Sequence, residues 1–452
     1  MTENSRPEPS RSFRWLVLIF ASLTMFGNYY VYDCIAPIAD LLTKQLGFSD
    51  ANIGLLQAIY SIPNVIMVLI GGYVVDRIGT RKAIFIFGTL CFLGAGVTCL
   101  SGMLGVMATG RLIFGLGAES LIVAVTTAVA KWFRGKELSF AFGINLMISR
   151  AGTLLAQQSP SWAGFAYNYW RNPLLISIGF ASLCVIGAIV YWLLETYAEK
   201  RYQVGPAGAT DKVVFGDIKA FGLSYWYVVA LCITFYSGIF PFETFAYKFF
   251  IDAHNVTREA AGDLVGMLTL FTMFGTPTFG LFVDKLGKRA LLMMFGSVLL
   301  IPVYLLMAYV RSAHYITVYL PSTADGHFAL VAHHLPPILL TTMAMMGVSF
   351  SLIPAVMWPS VAYLVDQSKL GTAYGLMTMI QNIGLAGFNL MVGWANDFRH
   401  AGPDNPGGYN LGMWIFSILG FAGLTFAFLL RQRELGPHGH GLETITTAKN
   451  SA

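Results

Sequence analysis

Charge is what this 452-residue chain has least of: 11% of its residues are Asp, Glu, Lys or Arg, against 56% hydrophobic ones. A water-soluble domain carries about 25% charged residues. A soluble fold is therefore excluded, and the mean hydropathy of +0.63 agrees. The five cysteines (Cys34, Cys91, Cys99, Cys184, Cys232) all fall inside apolar runs, without the spacing of a metal cage or a disulfide framework. No phosphate-cradling glycine loop is present, which excludes an ATP-driven pump. Without a nucleophile, metal cage or nucleotide fingerprint, the chain reads as a non-enzyme that needs no cofactor. The net charge of +5 comes from loops and bears on topology, so no nucleic acid is expected as a partner.

What the sequence has instead is long apolar runs. A membrane-crossing helix needs about 20 apolar residues. Such runs lie near 15–38, 52–75, 83–103, 105–131, 139–163 and 173–194, then near 222–250, 260–283, 290–310, 336–363, 370–396 and 410–431. The first follows a polar, Arg-bearing tail and is too long for a signal-peptide core, so it reads as a span. The expected class is an all-α membrane protein with twelve transmembrane helices in two six-helix halves. These are a bundle over 15–194 and another over 222–431, joined by a linker at 195–221 and flanked by tails at 1–14 and 432–452. With both tails in the cytoplasm, 20 of the 28 Lys and Arg lie on that side, as the positive-inside bias demands. The lipid bilayer is one partner.

The two halves repeat. Gly72–Lys82 reads GYVVDRIGTRK after the second span, and Gly280–Arg289 reads GLFVDKLGKR after the eighth, 208 positions later. Parallel halves with a repeated loop suit a transporter whose halves rock as rigid bodies around a central site. A carboxylate at a helix end can cap a neighbouring helix while pairing with Arg or Lys. Gly72, Asp76, Arg77, Gly79 and Arg81, with Asp284, Lys285 and Arg289, are therefore the candidate cytoplasmic latch. Charge that merely fixes topology is the alternative. On these loops, with Arg111, Gly115 and Gly117 of the fourth span, the chain resembles the major facilitator superfamily over residues 12 to about 432.

An ionisable side chain near mid-bilayer costs at least ~2.5–3.5 kcal/mol, which makes each one a site candidate. Glu119 lies 13 residues before Trp132, and Arg150 lies 13 residues after Glu137. At about 1.5 Å per residue both sit ~20 Å from the cytoplasmic face. They form either a structural ion pair or a grip on the two ends of a zwitterion, the Arg fork suiting a carboxylate. Gly117–Gly152 (GAESLIVAVTTAVAKWFRGKELSFAFGINLMISRAG) resembles the lysosomal dipeptide-carrier branch of the superfamily. So do NYYVYD (Asn28–Asp33), FPF with Lys248, and the stretch Trp358–Ala386. That resemblance implies that Glu119 and Arg150 hold the charged ends of a dipeptide. Met1–Ser12 has no acidic dileucine signal, so the expected location is a bacterial plasma membrane rather than a lysosomal one.

Further candidates line the same spans. Tyr29, Tyr32 and Asp33, at helical spacing, form an aromatic and carboxylate face that lines the outer cavity or serves structural pairing. Gln57, Tyr60 and Asn64 make a polar stripe on span two, and Asn382 and Asn389 another on span eleven. Such stripes suit a wet cavity or interhelical glue. Glu243 and Lys248, near the outer end of span seven, are gate residues or snorkelling interface charges. Arg111 is read as structural, holding backbone carbonyls or a carboxylate. His314, His327, His333 and His334 lack tight ligand spacing, so no metal is expected. His438 and His440 are expected in a disordered tail.

The fifth span lacks the glycine-proline run of drug antiporters, and the first lacks the E-x-x-E-R motif of proton-coupled oligopeptide carriers. The resulting expectation is a uniporter of dipeptides or similar zwitterions, working by alternating access. Asp33, Glu119 and Glu243 keep a proton possible as a second partner. Two alternatives stay open: a proton-coupled carrier of small organic anions, and a transport-dead solute receptor.

Overall fold

The computed structural model describes residues 7–133, 136–202, 215–310, 314–324 and 327–446. The expectations for Arg311, the middle of the linker and the extreme ends of both tails lie outside the described residues, as does the side chain of His327.

The apolar runs fold as helices because a bilayer core offers backbone groups no partner except the helix itself. In chain order these are α1 (Arg11–Asp33), α2 (Ala39–Leu46), α3 (Asp50–Ile78), α4 (Thr80–Leu100), α5 (Leu104–Phe133), α6 (Leu138–Gln157) and α7 (Ser159–Trp162). Then follow α8 (Arg171–Arg201), α9 (Leu223–His254), α10 (Arg258–Leu286), α11 (Arg289–Tyr309), α12 (Pro337–Leu364), α13 (Leu370–Phe398) and α14 (Asn410–Leu435). Among the described residues, 11 helical stretches are long and apolar enough to cross a membrane. Beside them α6 runs for 20 residues, its apolar character diluted by Asn145, Arg150 and Gln157. The all-α membrane class holds.

Three local results depart from the sequence reading. The loop expected at 311–335 contains an antiparallel hairpin, β1 (Ile316–Ala324) on β2 (His327–Leu335), with Ile316 opposite Leu335. The sixth span continues past 194 to Arg201, because Glu195 is buried against Thr80 and Lys131 rather than starting a polar linker. The C-terminal tail up to 446, the last described residue, folds against Glu434 and α11, which corrects the expectation for His438 and His440. There the backbone N–H and Nδ1 of His440 meet the Glu434 carboxylate at 2.7 and 3.0 Å. The tail then caps α11, a helix with no side-chain N-cap of its own. Lys288 and Arg289 give their N–H groups to the carbonyls of Glu443 and Leu442, and Leu291 gives its own to Glu443 Oε1 at 3.1 Å. Orphan N–H groups at a helix start need such acceptors.

The repeated loops are tight turns with a backbone reason for their glycines. Gly79, between α3 and α4, has φ 82 and ψ 161, a region open essentially to glycine alone. Its counterpart Gly287, between α10 and α11, has φ 65.

Compact packing divides the chain into two units. The first comprises Met1–Cys34, Ile59–Ala156 and Arg171–Lys212, the second Ile35–Ala58, Gln157–Trp170 and Val213–Ala452. The first unit has its core at Leu18, Phe114, Leu121, Val125, Phe133 and Cys184. In lipid, helices are held by close packing rather than by a hydrophobic drive. Gly117 of α5 meets this need, since a Cβ there would lie 2.6 Å from the Phe87 carbonyl oxygen of α4. The second unit is built around α9, the most enclosed span, with Phe242, Tyr247 and Phe250 in one cluster with Met307, Met343 and Met357.

Candidate functional site

The polar centre of the first unit is set by where α1 stops. A helix leaves its last carbonyls without intrahelical donors. Arg111 of α5 supplies them, donating to Val31 O at 2.9 Å and to Tyr32 O at 3.3 Å. The arginine is 1% exposed. Its guanidinium lies 5.9, 5.4 and 5.2 Å from the ring centres of Tyr32, Tyr60 and Phe114, so aromatic faces replace part of its hydration. Tyr29, Tyr32 and Asp33 are thereby fixed on the final turns of α1.

Charges from three helices gather about Tyr29. The guanidinium of Arg150 on α6 lies 5.7 Å from its ring centre. Glu119 on α5 and Asp33 on α1 lie within electrostatic reach of the same phenol. Glu119 is half-buried. Among the described residues, the ion pairs of the first unit join Arg11 and Arg14 to Glu137, Arg81 to Glu199, Lys131 to Glu195 and Glu199, and Lys136 to Glu8. None of them includes Glu119, so a direct Glu119–Arg150 ion pair is not formed. Tyr60 of α3 borders the group, its ring 4.8 Å from Tyr32 and 5.3 Å from Phe114, within electrostatic reach of Glu119. The arrangement offers a carboxyl group and a guanidinium on separate helices, both within reach of the Tyr29 phenol.

The remaining candidates fall in the second unit. Lys248 is buried in an ion pair with Asp50 of α3, and its charge is committed there. Asn396 Nδ2 donates to the same carboxylate at 2.9 Å, while Asp397 accepts the backbone N–H groups of Asp50 and Ala51, each at 2.8 Å. Glu243 is buried on α9, within electrostatic reach of Tyr304. Gln57 is buried in this unit too. Asn382 turns its amide to its own helix, donating to Thr378 O at 3.1 Å. Asp50, Asp40 (paired with Arg258 at 2.5 Å) and Asn396 escaped sequence reasoning. The only signal for the two aspartates was an acidic first turn on α2 and α3, and Asn396, near the end of α13, carried none.

In the second repeated loop, Arg289 is 2% exposed, pairs with Asp284 at 3.0 Å and lies 5.0 Å from the Tyr363 ring centre, while Lys285 is exposed. In the first, Arg81 pairs with Glu199 at 2.7 Å and Gly72 is buried, whereas Asp76 and Arg77 are exposed at the end of α3.

Residues 21–384 match the family model of the Major Facilitator Superfamily. The Lysosomal dipeptide transporter MFSD1 of Danio rerio is 30% identical over 404 residues, covering 85% of this chain and 81% of that protein. Its Homo sapiens counterpart is 29% identical over 406 residues, covering 87% and 82%. Among solved structures, a bacterial homolog to the human lysosomal transporter Spinster, crystallised inward-facing and unoccupied, superposes with a TM-score of 0.73. At 17% identity over 94% of this chain and 98% of that one, this likeness shows a shared fold. With most of its length matched and its spans folded accordingly, the chain belongs to the Major Facilitator Superfamily and is a multi-pass membrane transporter.

Proposed function

We propose that the protein carries small zwitterions, dipeptides first among them, across a membrane by alternating access and facilitated diffusion. One observation carries this reading: Glu119 and Arg150 converge on Tyr29 from separate helices, and Glu119 has no ion-pair partner among the described residues. A carboxylate held inside a span without a cation is costly, and the ammonium end of a zwitterion removes that cost. The carboxylate end suits the planar fork of Arg150. Similarity to lysosomal dipeptide transporters over 85% of this chain supports the same substrate class. The repeated loops support rocking halves. Loop charge supports cytoplasmic termini, and a bacterial plasma membrane is the proposed location.

Ligand-dependent thermal stabilisation of the purified protein tests the proposal. A ligand at 100 times its dissociation constant adds about 2.7 kcal/mol. Dipeptides should stabilise the wild type, and neither Glu119→Gln nor Arg150→Ala should respond. Stabilisation by simple carboxylates with no response to dipeptides would replace this reading with an organic-anion carrier. Dipeptide counterflow in liposomes without a pH gradient tests facilitated diffusion. Uptake that stops when the gradient is removed would establish proton coupling instead.

A further inference from the structure

The two repeated loops are held by different parts of the chain. At the first loop the holding groups belong to a span: Thr80 donates to Glu195 of α8 at 3.1 Å, and Arg81 pairs with Glu199 of α8 at 2.7 Å. At the second they come from the tail beyond α14. The carbonyls of Leu442 and Glu443 accept the N–H groups of Arg289 and Lys288, and the Glu443 carboxylate accepts that of Leu291 at 3.1 Å. Arg431 lies 3.7 Å from the same carboxylate. Ile445 O sits 3.2 Å from the place of a Cβ on Gly287. A carboxylate at a helix N-terminus also meets the positive end of the helix dipole. The tail thus lies on the loop that carries the Asp284–Arg289 pair.

Little apolar area seats this tail. Residues 435–440 are exposed, and Leu442, at 0%, is the one fully enclosed apolar side chain of 436–446. The rest of the hold is polar: His440 and Leu442 give their backbone N–H groups to Glu434 at 2.7 and 3.5 Å. A segment with few buried apolar contacts and exposed hydrogen bonds opens locally while the remainder stays folded. We infer that 436–446 is an autoinhibitory strap. Seated, it holds the α10–α11 loop in the observed arrangement; lifted, it frees that loop for the rocking movement, and transport quickens. Conformational steps of this kind set the rate of many cycles. The inference rests on alternating access, and takes from the dipeptide reading only its probe.

Variants of the full chain test it. Leu442→Ser with Glu443→Ala unseats the tail, Glu443→Ala alone removes the carboxylate, and Glu443→Gln keeps an acceptor for Leu291. Amide exchange over 284–292 reads the opening of the loop, and glycylglycine counterflow in liposomes, per folded protein, reads transport. A hydrogen bond that must break before a step slows it roughly fivefold. Both rates should therefore rise about fivefold in Glu443→Ala, further in the double variant and less in Glu443→Gln, while the thermal midpoint falls in the same order. Faster transport from a less stable protein is what a merely structural tail does not give. Quicker loop exchange with transport unchanged or slower would overturn the inference, as would unchanged loop exchange in the double variant. Where the double variant does not fold, the two Glu443 variants decide by the same readouts. A wild type that carries no glycylglycine would sink the dipeptide reading alone. Loop exchange then decides the strap: quickening supports it, and equal rates in wild type and variants overturn it.

Discussion

Lys248 of α9 and Asp50 at the start of α3 form a buried ion pair across 198 positions of sequence. Removing one partner strands the other charge, at a cost of about 3–5 kcal/mol. Lys248→Met and Asp50→Asn should each lower the thermal midpoint markedly. The double substitution should cost less than the sum of the two, since no charge is then left unpaired. Additive losses would show that the two residues act separately.

Glycine substitutions should split by backbone geometry. No atom lies within 4 Å of the Cβ position at Gly79, so Gly79→Ala meets strain alone at φ 82; such strain costs about 1–3 kcal/mol. Gly287→Ala adds contact with Ile445 O at 3.2 Å to the strain at φ 65. Gly143, within α6, also faces open space. Gly143→Ala should be neutral or stabilise by about 0.5–1 kcal/mol. Denaturation midpoints of the three variants decide whether the repeated loops need their glycines for conformation. A stable Gly79→Ala would contradict it.

Glu195 is 1% exposed and accepts from Thr80 Oγ1 at 3.1 Å and from Lys131 Nζ at 2.5 Å. Glu195→Gln keeps an acceptor for Thr80 and loses the charge opposite Lys131. Glu195→Ala loses both and leaves buried groups unmet, at about 1–3 kcal/mol for each. Thermal unfolding should rank wild type above Gln and Gln above Ala. Equal stability of all three would mean that α8 is held in place by its apolar face alone.

Acid should loosen the β1–β2 hairpin. Burial holds the His333 imidazole below its ordinary value of 6.5, because the charged form is the harder one to desolvate. A depressed folded value means that this stability is present above 6.5 and is lost as pH falls through the folded value. Amide exchange of Ile316–Leu335, corrected for its intrinsic pH dependence, should quicken below that range. His333→Gln should flatten the response, and an unchanged profile in that variant would assign the effect elsewhere.

Several features were determined by the sequence alone, because each depends on the chain and a bilayer and on nothing else. Apolar length sets where helices form, and the price of a charge at depth singles out Glu119 and Arg150 without any coordinates. The two loop motifs, 208 positions apart, expose the repeat, whereas the backbone reason for their glycines came from the turns themselves. Partnership is another matter. The sequence does not say that Asp50 meets Lys248, that Glu195 meets Thr80, or that Arg111 closes the end of α1. Nor does it say that the tail caps α11. Complementary charge and hydrogen bonding have no period along a chain. They are settled only when tertiary packing brings distant helix ends together, and there burial makes each missing partner expensive enough to matter.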